Sequence, residues 1–196
     1  MKVLGFIFLL GVLMTSVSLA DNMSAAPKKA VFAGGCFWCL QPGFDHTPGV
    51  IATTVGYTGG QVPSPTYEQV GTGSTGHVEA IEVVYDPAVV AYEKLVGIFW
   101  RSIDPTDDGG QFADRGSQYR TAIFFADEQQ KRLAEEAVHR LSASGKFSKP
   151  VMTRVLPAAV FYPAEEYHQK YYLKQSGRYN DYKNGSGRTD FLKKAW

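Results

Sequence analysis

The chain is short of cysteine, histidine, net charge and long apolar runs, and each shortage removes a class of function. Cys36 and Cys39 are the only cysteines in 196 residues. A disulfide framework is therefore excluded, and a chain of this length buries a core without one. The four histidines, His46, His77, His139 and His168, stand apart with no pair at ligand spacing. Zinc wants four ligands, so two cysteines alone do not make a metal site. The formal net charge is +1, which gives no electrostatic case for nucleic acid or a membrane surface. No internal repeat and no low-complexity tract is present, which excludes solenoid architectures. The one long apolar run, residues 3–14, is too short for a bilayer span.

That run sits behind the lone charge of Lys2 and ahead of Ser18-Leu19-Ala20. This is the layout of a secretory signal peptide over residues 1–20. Residues 21–29 are small and polar and are expected to form a flexible leader. Residues 30–196 are expected to form a single domain, irregular from about residue 175. Removing the first twenty residues takes one lysine from twenty basic residues and none from nineteen acidic ones, leaving the two counts equal. The protein is expected to be exported, to a periplasm or the exterior, to bind neither nucleic acid nor membrane stably after cleavage, and to be a monomer. Disulfides persist in such compartments.

Patterning supplies the elements. Residues 29–32 are β-prone and run into Gly34-Gly35. A helix should follow Cys36, with Pro42-Gly43 ending or kinking it. Residues 50–55 read as a strand and residues 57–60 as a loop. Residues 78–85 partly alternate, as a half-buried strand does. Residues 92–103 have helical spacing, and residues 104–117 form a long polar loop of the kind that carries function. Residues 120–125 and 151–156 are strands, residues 127–144 are the clearest helix, and residues 164–173 form a short Tyr-rich helix. Roughly four strands alternate with four helices. The expected fold is an α/β (α+β) two-layer sandwich, a mixed sheet with helices packed on it, with a ferredoxin-like core.

The chemistry concentrates in Gly34-Gly35-Cys36-Phe37-Trp38-Cys39. Cys36 falls at a helix start and Cys39 one turn on, on the same face. Unpaired amides and the helix dipole lower a thiol's pKa at such a place. So short a loop contributes little stability as a structural bridge. A thioredoxin-like thiol–disulfide oxidoreductase also places C-x-x-C after a strand at a helix start, and this stretch alone favours it.

Further motifs point elsewhere. These are GYTGG at residues 56–60, SPTYEQV at 64–70, TGHVEAIEVVYDP at 75–87, DPT at 104–106 leading to ADRGSQYRTAIF at 113–124, and FYPAEEYHQKYY at 161–172. With GCFWC, they make the chain resemble the A-type peptide methionine sulfoxide reductases from about residue 30 to about residue 174. The resemblance implies a reaction and roles. Cys36 attacks the sulfoxide sulfur, Glu79 gives a proton to its oxygen, and Tyr67 and Tyr119 hydrogen-bond that oxygen. Asp114 holds the polar side of the pocket, and Phe37 and Trp38 wall the substrate's methyl group. The products are methionine and a sulfenic acid on Cys36. A second thiol closes a disulfide, which a thioredoxin-like donor reduces. No cofactor is needed. The substrate is methionine S-sulfoxide, free or in proteins.

The chain also departs from that family's pattern. Many members carry resolving cysteines in a glycine-rich tail or just after the tyrosine motif, where this chain has none and Gly71 respectively. Gln41 stands where many have Glu, and Ile103 where His is common. With no third cysteine, Cys39 or an external thiol must resolve the sulfenic acid. A non-enzymatic alternative is a binding module for oxidised-methionine peptides, which would leave Cys36 unreactive. His77 is read as structural.

Overall fold

The computed structural model describes residues 26–196. The expected signal peptide, and the leader as far as residue 25, lie outside them. Eight strands and seven α-helices follow in order among the described residues. They are β1 (Lys28–Gly34), α1 (Phe37–Asp45), β2 (Val50–Thr58), α2 (Tyr67–Gly71), β3 (Val78–Tyr85), α3 (Tyr92–Trp100), β4 (Gly110–Gln111), β5 (Asp114–Arg115), β6 (Thr121–Phe125), α4 (Glu128–Ala143), β7 (Arg154–Pro157), β8 (Tyr162–Pro163), α5 (Tyr171–Lys174), α6 (Ser176–Gly185) and α7 (Arg188–Ala195). Six strands form one mixed sheet in the order β7-β6-β1-β3-β2-β8, and β4 and β5 form a separate hairpin. All neighbours in the large sheet are antiparallel except β6 and β7.

Strand alternation sorts side chains between two faces. Phe32 on β1, Ile81 and Val83 on β3 and Ile123 on β6 face one core, together with Phe37, Leu40 and Phe44 of α1, Leu95 and Phe99 of α3 and Leu133 of α4. Ala33, Val78, Ala80 and Phe124 face the other side. Phe32 is the hub of the first core, stacked at 5.3 Å on both Phe44 and Phe99. Asp127 caps α4 by accepting from Gln130 N at 2.7 Å. Among the described residues, no helix is long and apolar enough to cross a membrane.

Several expectations need correction. β1 starts at Lys28, inside the expected leader, because Lys28 and Lys29 pair with Tyr85 and Val84. Pro42 lies inside α1, which runs on to Asp45. β2 continues through Gly56, Tyr57 and Thr58, because β8 pairs across Gly56. A Cβ at Gly56 would stand 2.2 Å from the Tyr162 carbonyl oxygen; the glycine permits a close strand there rather than ending it. The Tyr-rich helix is a 3-10 turn (Glu166–His168) followed by the short α5.

The irregular tail is the largest correction, since it forms α6 and α7. Gly177, Gly185 and Gly187 weaken any local helix signal. The helices form by docking: Tyr179 and Arg188 are buried, and tertiary contact overrides weak propensity.

Candidate active site

β1 delivers the chain to the middle of the sheet, and Gly34-Gly35 turns it into α1. Gly35 has φ +73°, and a Cβ there would lie 2.4 Å from Gln111 Cβ, so only glycine fits. Cys36 is the residue at the N-terminal cap of α1. Glu79 shares a face of β3 with Ile81 and Val83, the face on which α1 packs. The carboxylate is therefore aimed at the start of α1, and Glu79 Oε2 accepts from Phe37 N at 3.0 Å. A solvated strand residue would do none of this; Glu79 is only 3% exposed. Burial pushes its carboxyl up to about 8, opposed by the Phe37 N–H and reinforced by Asp114. At neutral pH the site thus holds a carboxylic acid with a proton to give.

Both cysteines are free and buried. The helix-start argument expects a lowered pKa at Cys36, and the structure reverses it. Burial drives the Cys36 thiol well above its ordinary value, and its hydrogen bond to Cys39 and the nearby Cys39, Glu79 and Asp114 charges drive it further. Cys39 is lowered by accepting that hydrogen bond, against its own burial and with help from Arg188 and Lys183. Burial outweighs the helix start here, and the first amide of α1 is already engaged by Glu79. In the resting site Cys36 stays a thiol.

Three further segments converge. Tyr67 is the first residue of α2, set there by a capping box in which Thr66 and Gln69 exchange hydrogen bonds. Asp114 lies on β5, and Tyr119 ends a 3-10 turn (Ser117–Tyr119). Gln118 Nε2 donates to Gly71 O at 2.9 Å, lashing the two tyrosine segments together. Burial raises both tyrosine hydroxyls, and the charges of Glu79, Cys36 and Asp114 reach each of them. Both stay protonated donors. Asp114 is raised by burial, opposed by its hydrogen bond from Tyr182. All five residues expected to be catalytic are therefore brought to one place.

Trp38 and Tyr67 line a cavity of about 390 Å³ with Tyr167, His168, Tyr171 and Arg178 among its walls. Phe37 lies behind it, 1% exposed in the main core. Two residues noted in the sequence are structural ties. Gln41 Nε2 donates to Thr53 Oγ1 at 3.1 Å and its Oε1 accepts from Lys170 N. His77 accepts from Gly60 N and contacts Val62 O at 2.8 Å.

Sequence reasoning missed the tail's contribution. Tyr179 packs on both cysteines. The Tyr182 hydroxyl donates to Asp114 Oδ2, and its ring meets Trp38 edge-on at 6.0 Å. Arg188 is sealed behind the glycine turn, donating to Ser102 O and to Gly34 O, with its guanidinium 4.5 Å over the Phe112 ring. No periodicity marks these residues. His168 has a signal, its place in FYPAEEYHQKYY.

A family model described as peptide methionine sulfoxide reductase matches residues 28–196. The chain belongs to this family. The peptide methionine sulfoxide reductase MsrA of Bacillus pumilus is 52% identical over 174 residues, covering 89% of this chain and 98% of its own. Among solved structures, methionine sulfoxide reductase A of Corynebacterium diphtheriae is similar with a TM-score of 0.69 and 36% identity, covering 76% of each chain. Mxr1 of Saccharomyces cerevisiae in reduced form gives 0.71 and 31%, covering 77% of this chain and 87% of its own. The family's match extends through the tail, well past the motifs that carried the sequence resemblance.

Proposed function

We propose that the protein reduces methionine S-sulfoxide, free and in proteins, to methionine. The observation that carries this reading is the buried neutral acid: Glu79 holds a proton up to about pH 8, at the start of the helix that Cys36 caps. A sulfoxide oxygen leaves its sulfur only when protonated or strongly hydrogen-bonded, and a buried acid beside a thiol supplies that.

The Cys36 sulfur attacks the sulfoxide sulfur, while Glu79 protonates the oxygen and the Tyr67 and Tyr119 hydroxyls hold it. As Glu79 protonates the oxygen, its carboxylate takes up the proton that Cys36 releases, so the site gains no net charge, which suits a site whose burial resists extra charge. The S–O bond breaks as oxygen passes to Cys36, giving methionine and a Cys36 sulfenic acid. Trp38, backed by Phe37, walls the methyl group, and Asp114 holds the polar side. Cys39, lowered toward its thiolate and already in hydrogen-bond contact with Cys36, then attacks the sulfenic acid. A disulfide forms and water leaves with the two remaining protons. A thioredoxin-like dithiol restores both thiols.

The same reading extends to the fold and the location. The order β6-β1-β3-β2, with α1 and α3 as the crossovers, supports a ferredoxin-like core. The layout of residues 1–20 supports export by a signal peptide, a periplasmic or secreted site of action, and a single catalytic domain over the remainder. The test is reduction of the separated S and R epimers of N-acetylmethionine sulfoxide, with and without thioredoxin and thioredoxin reductase. Turnover of the S epimer alone, sustained only with thioredoxin, is expected. Turnover of the R epimer, or insulin reduction without sulfoxide reduction, contradicts the reading.

A further inference from the structure

His168 takes no part in the sulfur chemistry, yet it is sealed among the site's aromatics. Its side chain is 1% exposed, and its ring lies 4.4 Å from Tyr67, 5.1 Å from Phe37 and 5.6 Å from Trp38 between centroids. An indole N–H can only donate. The 2.9 Å contact from Trp38 Nε1 therefore makes His168 Nδ1 the acceptor and puts the ring proton on Nε2. That Nε2–H is buried without a hydrogen-bond partner among the described residues, and Glu165 Oε2 is 3.9 Å away, too far to bond well. Burial also pushes the imidazole down to about 4, so Nδ1 stays an acceptor at working pH.

Trp38 needs such an acceptor. Its indole lies flat on Tyr171, with centroids 3.8 Å apart and planes 8° apart. Offset stacking fixes the plane of a ring but tolerates sliding and rotation within it. The hydrogen bond to His168 is the directional contact that fixes the rotation. The same turn holds the opposite wall, since Glu165 Oε1 accepts from Tyr67 N at 2.9 Å and Oε2 from the Tyr57 hydroxyl at 2.8 Å.

We propose that His168 is a positioning residue that determines substrate specificity: by anchoring the Trp38 indole edge it fixes a slot that admits a methyl group on the sulfoxide sulfur and excludes larger alkyl groups. The inference rests on the methionine sulfoxide reading. One surplus methylene in an apolar pocket is worth roughly 10–200-fold in kcat/KM, so the wild type favours N-acetylmethionine S-sulfoxide over N-acetylethionine S-sulfoxide by about that factor.

The experiment compares these two substrates in the full chain. His168→Phe keeps a ring and removes the acceptor; it should raise KM for the methyl substrate and lower the methyl-to-ethyl ratio about tenfold. His168→Asn returns an acceptor near the Nδ1 position and should recover much of the ratio. An unchanged ratio in folded His168→Phe, or equal loss on both substrates, overturns the inference. The wild type supplies a second reading that needs no His168 variant. The Trp38 indole N–H, identified by its disappearance in Trp38→Phe, should exchange slowly with solvent; fast exchange overturns the anchoring. If the wild type reduces neither sulfoxide, the functional reading fails. If it reduces the methyl substrate and the ratio does not respond to His168, only this inference fails.

Discussion

Two regions of the molecule meet at the cysteines, and they reach them by opposite routes. The first is carried by the sheet: β1 aims Cys36, β3 aims Glu79, and both positions follow from strand alternation and a glycine turn. The second is the tail, whose helices α6 and α7 bring Tyr179, Tyr182 and Arg188 against the same site from the far end of the chain. The sheet region is built to place groups that react, on rigid elements. The tail adds groups that cover, tether and counter-charge those already placed. The difference separates groups that make the chemistry from groups that tune it, and substitutions on the two sides should differ in size accordingly.

The largest effect belongs to the sheet side. Cys36→Ser should abolish methionine formation even in a single turnover measured with excess sulfoxide. Cys39→Ser should keep one methionine per enzyme but lose thioredoxin-dependent recycling; normal cycling would assign resolution to an external thiol. Glu79→Gln should cost about 10²–10⁴-fold in kcat/KM, the range for general acid catalysis. The sign of its pH dependence follows from the raised carboxyl. The useful form is the protonated one, so the wild-type rate should fall as pH rises through about 8. Glu79→Gln cannot titrate, and its residual rate should lack that limb.

On the tail side the effects should be smaller. Tyr182→Phe removes the hydroxyl that donates to Asp114. A net loss of about 1 kcal/mol is expected, seen as a drop of about 2–4 °C in Tm for a chain of this size. The rate should fall by less than tenfold. A loss as great as that of Glu79→Gln would erase the distinction and place the tail in the chemistry itself.

The same contrast explains what the sequence discloses. β3 spans the residues its alternation indicates, and α4 lies within one residue of the expected helix over 127–144 at either end, because both patterns are local. Cys36, Tyr67 and Glu79 stand in separate motifs and Asp114 and Tyr119 share a fourth, and their gathering is legible only through the family resemblance. Burial, which decides the protonation of Cys36 and Glu79, has no local signature at all. It comes from α1 lying over β3 and from Tyr179 lying over the cysteines. Hence the helix-start argument puts the lowered pKa on Cys36, whereas burial raises Cys36 and the hydrogen bond between the two thiols, with Arg188 and Lys183 nearby, lowers Cys39. The tail helices were illegible because glycines and polar residues hide contacts made 68 residues away, as between Tyr182 and Asp114.

The central claim is a division of labour between two adjacent thiols, with Cys36 taking the oxygen and Cys39 closing the bridge. It is tested most directly by counting free thiols in the full chain after reaction with excess methionine S-sulfoxide and no reductant. Two thiols lost for each methionine formed, with the disulfide mapped to Cys36 and Cys39, is the predicted result. One thiol lost per methionine, with a stable sulfenic acid trapped on Cys36, would contradict it.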